Sequence, residues 1–129
     1  MKLRMRDNSL RFRLDRREID TLAESGCVES ACAFAPSVSL RYCVSTRVQD
    51  EALAAEFTDG CISLWVRSED AVRLASSGLV GLDSVQPVGD GSVLKLVLEK
   101  DFQCLTERPG EDDSNAFDNP LAAHACPTP

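Results

Sequence analysis

Asp7-Asn8-Ser9-Leu10-Arg11-Phe12-Arg13-Leu14 returns 52 residues later as Asp59-Gly60-Cys61-Ile62-Ser63-Leu64-Trp65-Val66. The same offset relates Leu22-Ala23-Glu24-Ser25-Gly26-Cys27-Val28 to Leu74-Ala75-Ser76-Ser77-Gly78-Leu79-Val80. A spacing held through a turn, a strand, a helix and a helix stop predicts two copies of one supersecondary unit.

Working outward, Leu10, Phe12 and Leu14 alternate with Ser9, Arg11 and Arg13, and Met1, Leu3 and Met5 alternate with Lys2, Arg4 and Arg6. Period two means strands with one buried face. Asp7-Asn8 and Asp59-Gly60 tolerate positive φ and so predict a hairpin turn in each copy. Asp15 followed by Glu18 has capping-box spacing. Ile19, Leu22 and Ala23 then form the stripe of a short helix stopped by Gly26, with Ser68 as cap and Gly78 as stop in the second copy. Further alternation runs through Val38–Val44 and Val93–Glu99, where the offset becomes 54 and pairs Leu40 with Leu94 and Arg41 with Lys95. We place the two extra residues in the loop around Pro87 to Gly91.

The expected fold is α+β: an internally duplicated ββαββ unit with about eight mainly antiparallel strands, as a curved sheet or a barrel, and two short helices. Residues 1–103 are expected to form one domain of two repeats, 1–48 and 53–100. Residues 104–129, acidic and proline-rich, read as an extended or partly disordered C-terminal tail.

The chain has 129 residues, 43% of them hydrophobic, enough for one core. No apolar run approaches the roughly 18 residues of a membrane span, and no leader pattern opens the sequence, so we expect a cytoplasmic protein. Its six cysteines include no Cys-x-x-Cys pair, and Cys27, Cys43 and Cys61 align with Leu79, Val97 and Ser9, which predicts reduced structural thiols. A net charge of −7 conceals a division. Residues 1–48 hold nine Lys/Arg against six Asp/Glu, whereas residues 49–129 hold five against fifteen. Such halves attract each other, or the first carries an anion site.

Candidate anion-binding residues are Lys2, Arg4, Arg6, Arg11, Arg13, Arg41 and Lys95, all on the polar parity of their strands. Crowded cations repel unless carboxylates or a bound anion neutralise them. Candidate carboxylates on the same parity are Glu56 and Glu99, with Glu29 and Asp83 behind them. Two placed together could hold Mg²⁺ against phosphate. Trp65 shares that parity and could cover a ligand. In the tail, Cys104, His124 and Cys126 supply Zn²⁺-type ligands, although their spacing matches no compact zinc module. Cys104, near Arg108, is also a candidate reactive thiol. A pI near 4.6 and few stacking aromatics argue against nucleic acid.

The opening Met-Lys-Leu-Arg-Met-Arg-Asp-Asn-Ser-Leu-Arg-Phe-Arg-Leu, the helix end Leu-Ala-Glu-Ser-Gly and the closing Glu-Lys-Asp-Phe-Gln-Cys-Leu with Glu-Asp-Asp beyond it resemble a family of small bacterial proteins of unknown function. The resemblance implies a bacterial cytoplasmic protein and brings no activity. Duplicated strand and helix units also resemble the general plan of the triphosphate tunnel enzymes, whose barrels surround basic side chains and metal-binding carboxylates. Those enzymes open with Glu-x-Glu-x-Lys, whereas this chain opens with Lys-x-Arg-x-Arg. Three readings follow: an interaction module engaging a protein partner or a second copy through its charged sheet face, an anion- or polyphosphate-binding barrel of possible phosphohydrolase type, and a metal-binding or thiol-reactive C-terminal site. No cofactor is expected under the first.

Overall fold

The computed structural model describes residues 1–102 and Phe117. In chain order the elements are β1 (Lys2–Arg6), β2 (Ser9–Leu14), α1 (Arg16–Ser25), β3 (Cys27–Ala35), β4 (Val38–Arg47), β5 (Leu53–Thr58), β6 (Cys61–Arg67), α2 (Ser68–Ser76), β7 (Gly81–Pro87) and β8 (Val93–Lys100). The α+β class and the ββαββ order hold. The strands form neither one curved sheet nor a closed barrel but two four-stranded sheets, β1-β2-β8-β7 (sheet I) and β3-β4-β6-β5 (sheet II).

Each sheet takes one hairpin from each half of the chain. The hairpins meet along parallel pairs, β2 with β8 and β4 with β6, so both sheets are mixed rather than antiparallel throughout. The two junctions share one register. Ser9 faces Lys95 and Leu10 faces Leu96 in sheet I, and the corresponding Cys61 faces Arg41 and Ile62 faces Tyr42 in sheet II. Even the flanking bonds correspond: Lys95 N donates to Asn8 O at 3.0 Å, and Arg41 N donates to Gly60 O at 2.9 Å.

The offset of 54 begins earlier than the sequence suggests. Cys27 pairs with Ser45 in β3–β4, and Gly81 pairs with Glu99 in β7–β8. The counterpart of Cys27 is therefore Gly81, not Leu79, and the two extra residues lie between α2 and β7. The span between matched pairs is the same in both hairpins, 34–38 between Ala33 and Ser39 and 88–92 between Pro87 and Val93. A Cβ at Gly81 would stand 2.8 Å from Leu98 O, so the backbone there approaches too closely for the cysteine of the other half.

Local chemistry explains the turns and helix ends. Asp7 (φ 48°), Asp59 (φ 52°) and Gly60 (φ 71°) supply the left-handed conformations of the two tight hairpins. Asp15 and Glu18 form the expected capping box, and Gly26 ends α1 in the left-handed region. The second helix departs from the expectation. Its N-cap is Arg67 without a side-chain cap bond, and its C-cap is Ser77, with Gly78 one residue further on.

The core lies between the inner faces of the two sheets. Phe12, Leu14, Leu64, Val66, Val44, Leu96 and Leu98 are fully buried there, each side chain contributing about 1.5–3 kcal/mol on leaving water. Ile19 and Leu22 of α1, with Ala71 and Leu74 of α2, join the same cluster. The helices follow Leu14 and Arg67 and so close the end of the sandwich at which β2 and β6 finish. All four hairpin connections gather at the opposite end. There Met5, Leu10, Leu40, Ala55, Glu56, Phe57, Ile62, Gln86 and Leu94 border a cavity of about 480 Å³.

Candidate anion-binding face

Because the leucines and phenylalanine of β2 face inward, its arginines must face outward, and the hairpin register places them in rows. Lys2 lies opposite Arg13, which lies opposite Glu99. Arg4, Arg11, Val97 and Asp83 form the next row across sheet I, and Arg6, Ser9, Lys95 and Val85 the third. Six of the seven cationic residues singled out from the sequence therefore share one outer face. Arg41 does not join them. It stands on the outer face of sheet II, where its guanidinium donates to Asp59 O at 3.4 Å.

Pairing divides the six. Glu99 accepts from Arg13 Nε at 2.7 Å and lies 3.6 Å from Arg11, while Lys2 lies 3.0 Å from Asp101. All three pairs join the basic first half of the chain to the acidic second half, as the charge division predicts. Arg4, Arg6 and Lys95 have no carboxylate within salt-bridge distance among the described residues, and all three are exposed. Arg4, Arg6, Ser9 and Arg11 border a notch of about 170 Å³. Ser9 turns its hydroxyl back to Arg6 O at 2.6 Å, leaving the notch to the guanidinium groups.

The carboxylate candidates do not converge. Glu99 is held by arginines on sheet I, whereas Glu56 sits on β5 of sheet II. Asp83 shares the row of Arg4 and Arg11, and Glu29 lies on β3, opposite Cys43. No tunnel of basic side chains exists either, because the space between the sheets is filled by the apolar core. The tunnel-enzyme likeness stops at the order of elements. Cys104, Arg108, His124 and Cys126 lie outside the described residues, and among the described residues no cluster of three or more metal-ligating side chains forms.

The outer face of sheet II carries, beside Arg41 and Trp65, a group of hydroxyl and sulfur-bearing side chains. Cys27 lies 3.3 Å from the Ser45 hydroxyl, and Cys43 and Cys61 lie 3.5 and 3.8 Å from that of Ser63. All four described cysteines are unbonded, and Cys27 and Cys32 are exposed rather than packed in the core. Burial pushes the Cys43 thiol above its ordinary pKa of 9.0, which keeps it protonated at neutral pH. Trp65 borders neither the cavity beside Met5 nor the notch among Arg4, Arg6, Ser9 and Arg11. Arg47 stacks 4.6 Å above its ring, and its indole N–H is buried without a partner.

Three features escaped the sequence reading. The mouth cavity collects residues from seven strands, which no local pattern displays. Asp70 is buried at 2% exposure between Arg67 (2.8 Å) and Arg73 (3.0 Å). Offset alignment does expose this one, since Arg67 and Asp70 correspond to Asp15 and Glu18. Gln86 makes a cross-sheet contact, bonding to the backbone of Ala55. Among the described residues no helix is long and apolar enough to cross a membrane.

In comparison with known proteins, the model of a family of unknown function, DUF7009, matches residues 1–121. No curated protein and no solved structure matches the chain.

Proposed function

Since the chain belongs to this family of unknown function, which brings no activity with it, we propose from its geometry that it is a binding module whose sheet I face holds a carboxylate-rich partner protein. The observation that carries the reading is the trio Arg4, Arg6 and Lys95, which have no acidic partner among the described residues and lie on an exposed face of a chain whose net charge is −7. In so acidic a protein a patch of unpaired cations is a local exception, and such a patch steers acidic surfaces toward itself and repels basic ones. Arginine forks match carboxylates two hydrogen bonds at a time, which gives orientation as well as attraction. The half-to-half correspondence of register supports an origin by internal duplication. Exposed, unbonded Cys27 and Cys32 suit a reducing bacterial cytoplasm.

A second reading is favoured by the notch of about 170 Å³ among Arg4, Arg6, Ser9 and Arg11, which is of a size to take one phosphate group of an inorganic polyanion. One titration separates the two. Fluorescein-labelled octaglutamate and polyphosphate are each followed by anisotropy against the parent and the R4E/R6E double variant. Octaglutamate should bind the parent, lose about tenfold in affinity when salt is raised to roughly 0.5 M, and fail on the double variant. The melting temperature should stay within about 2 °C because both positions are on the surface. Equal binding to parent and variant, or none to the parent, overturns the proposal, and binding of polyphosphate alone selects the second reading.

A further inference from the structure

The two open sides of the sandwich are built differently. Between β5 and β7, Ala55 N donates to Gln86 Oε1 at 2.7 Å, Gln86 Nε2 donates to Ala55 O at 2.8 Å, and Leu53 N donates to Ser84 Oγ at 3.1 Å. This seam is closed by side chains that imitate a neighbouring strand. On the other side the corresponding strands are β1 and β3, which stand further apart than β5 and β7, and the counterparts of Ser84 and Gln86 there are Ser30 and Cys32. A thiol cannot donate and accept as a carboxamide does. Among the described residues no backbone bond joins β1 to β3, so β1 is left with a free edge.

What that edge offers is specific. Lys2, Arg4 and Arg6 point to the outer face, while Leu3 and Met5 point inward, opposite Phe12 and Leu10. Met5 is 60% exposed although it belongs to the inner parity, because among the described residues no strand lies beyond β1. Beside it opens the mouth cavity of about 480 Å³, bounded largely by apolar side chains. A strand laid along β1 would therefore meet cations on one face and an apolar hollow on the other. Self-pairing of β1 is disfavoured, because like charges would then stand side by side on the outer face.

We infer that β1 receives an extended segment of the acidic partner as an added strand, its alternate residues acidic outward and apolar inward. Main-chain bonds to the free edge supply attachment, carboxylates over Lys2, Arg4 and Arg6 supply register, and one or two apolar side chains enter the mouth next to Met5. The inference rests on the cationic-face reading above and adds the partner's conformation and sequence pattern to it.

The test uses a capped nonapeptide alternating glutamate and leucine, a block isomer of the same composition, and octaglutamate. Affinity is measured by anisotropy with the full chain, and amide exchange is measured residue by residue in Lys2–Arg6. The alternating peptide should bind at least tenfold more tightly than the block isomer and slow exchange at the free edge of β1 at least tenfold, and it should be lost in R4E/R6E. If the two isomers bind equally, or exchange in β1 does not change, strand addition is overturned. Continued binding of octaglutamate to the parent but not to R4E/R6E would then leave the cationic face standing. Failure of octaglutamate as well removes both.

Discussion

At the scale of single residues, the two halves solve one problem with different chemistry. The start of α1 is held by the Asp15–Glu18 capping box, and the same two positions before α2 hold Arg67 and Asp70 as an ion pair. Asp70 is nearly inaccessible and is held by ion pairs to Arg67 and Arg73, and its place in the first turn adds a favourable interaction with the helix dipole. Lys100 is the opposite case. It is 9% exposed and donates to Ser77 O at 3.1 Å, with its ammonium 5.0 Å from the Phe117 ring centroid. Desolvation lowers its pKa below the ordinary 10.5. The folded state thus binds this proton less tightly than the unfolded chain, a penalty present in full at neutral pH and relieved as pH rises through the lowered value toward 10.5. Lys100→Met should raise the melting temperature at pH 7, with the advantage shrinking at higher pH. A gap independent of pH would refute the desolvation account. The capping box was legible in the sequence because its partners are three residues apart, whereas the burial of Lys100 was not, since alternation alone marks it only as the inward position after Leu98.

Among the elements, the strands and α1 were legible because period-two alternation and the Gly26 stop are local signals. The end of α2 was not. Ser76-Ser77-Gly78 contains several residues able to leave a helix, and Ser77 does so first. Nor could alternation reveal which hairpin lies beside which, since it assigns faces and not neighbours. The seam between β5 and β7 follows from that unread information. Gln86→Ala would strip Ala55 of partners for both its N–H and its C=O and should cost about 1–3 kcal/mol. The thermal melt of Gln86→Ala should fall accordingly, and a stabilising Gln86→Ala would show that the bridge between β5 and β7 carries no weight.

The candidate site was legible in the whole molecule as a set of residues but not as a place. Parity put Lys2, Arg4, Arg6, Arg11, Arg13 and Lys95 on one face correctly, but it included Arg41 because the sequence could not show that two sheets form. It also allowed a basic tunnel, which the leucine-filled space between the sheets rules out. The interleaving of hairpins has its own test. Residues 1–48 and 53–129, each expressed alone, should show little native secondary structure by circular dichroism, because neither contains both halves of a sheet. Mixed or co-expressed, they should recover the parent spectrum, and a first fragment folded by itself would contradict the arrangement. A half-length chain can complete neither sheet without a second one, so the short link near residues 48–52 replaces an encounter between molecules by one within a molecule, at an effective concentration on the order of millimolar. Foldedness then survives any dilution the cell imposes.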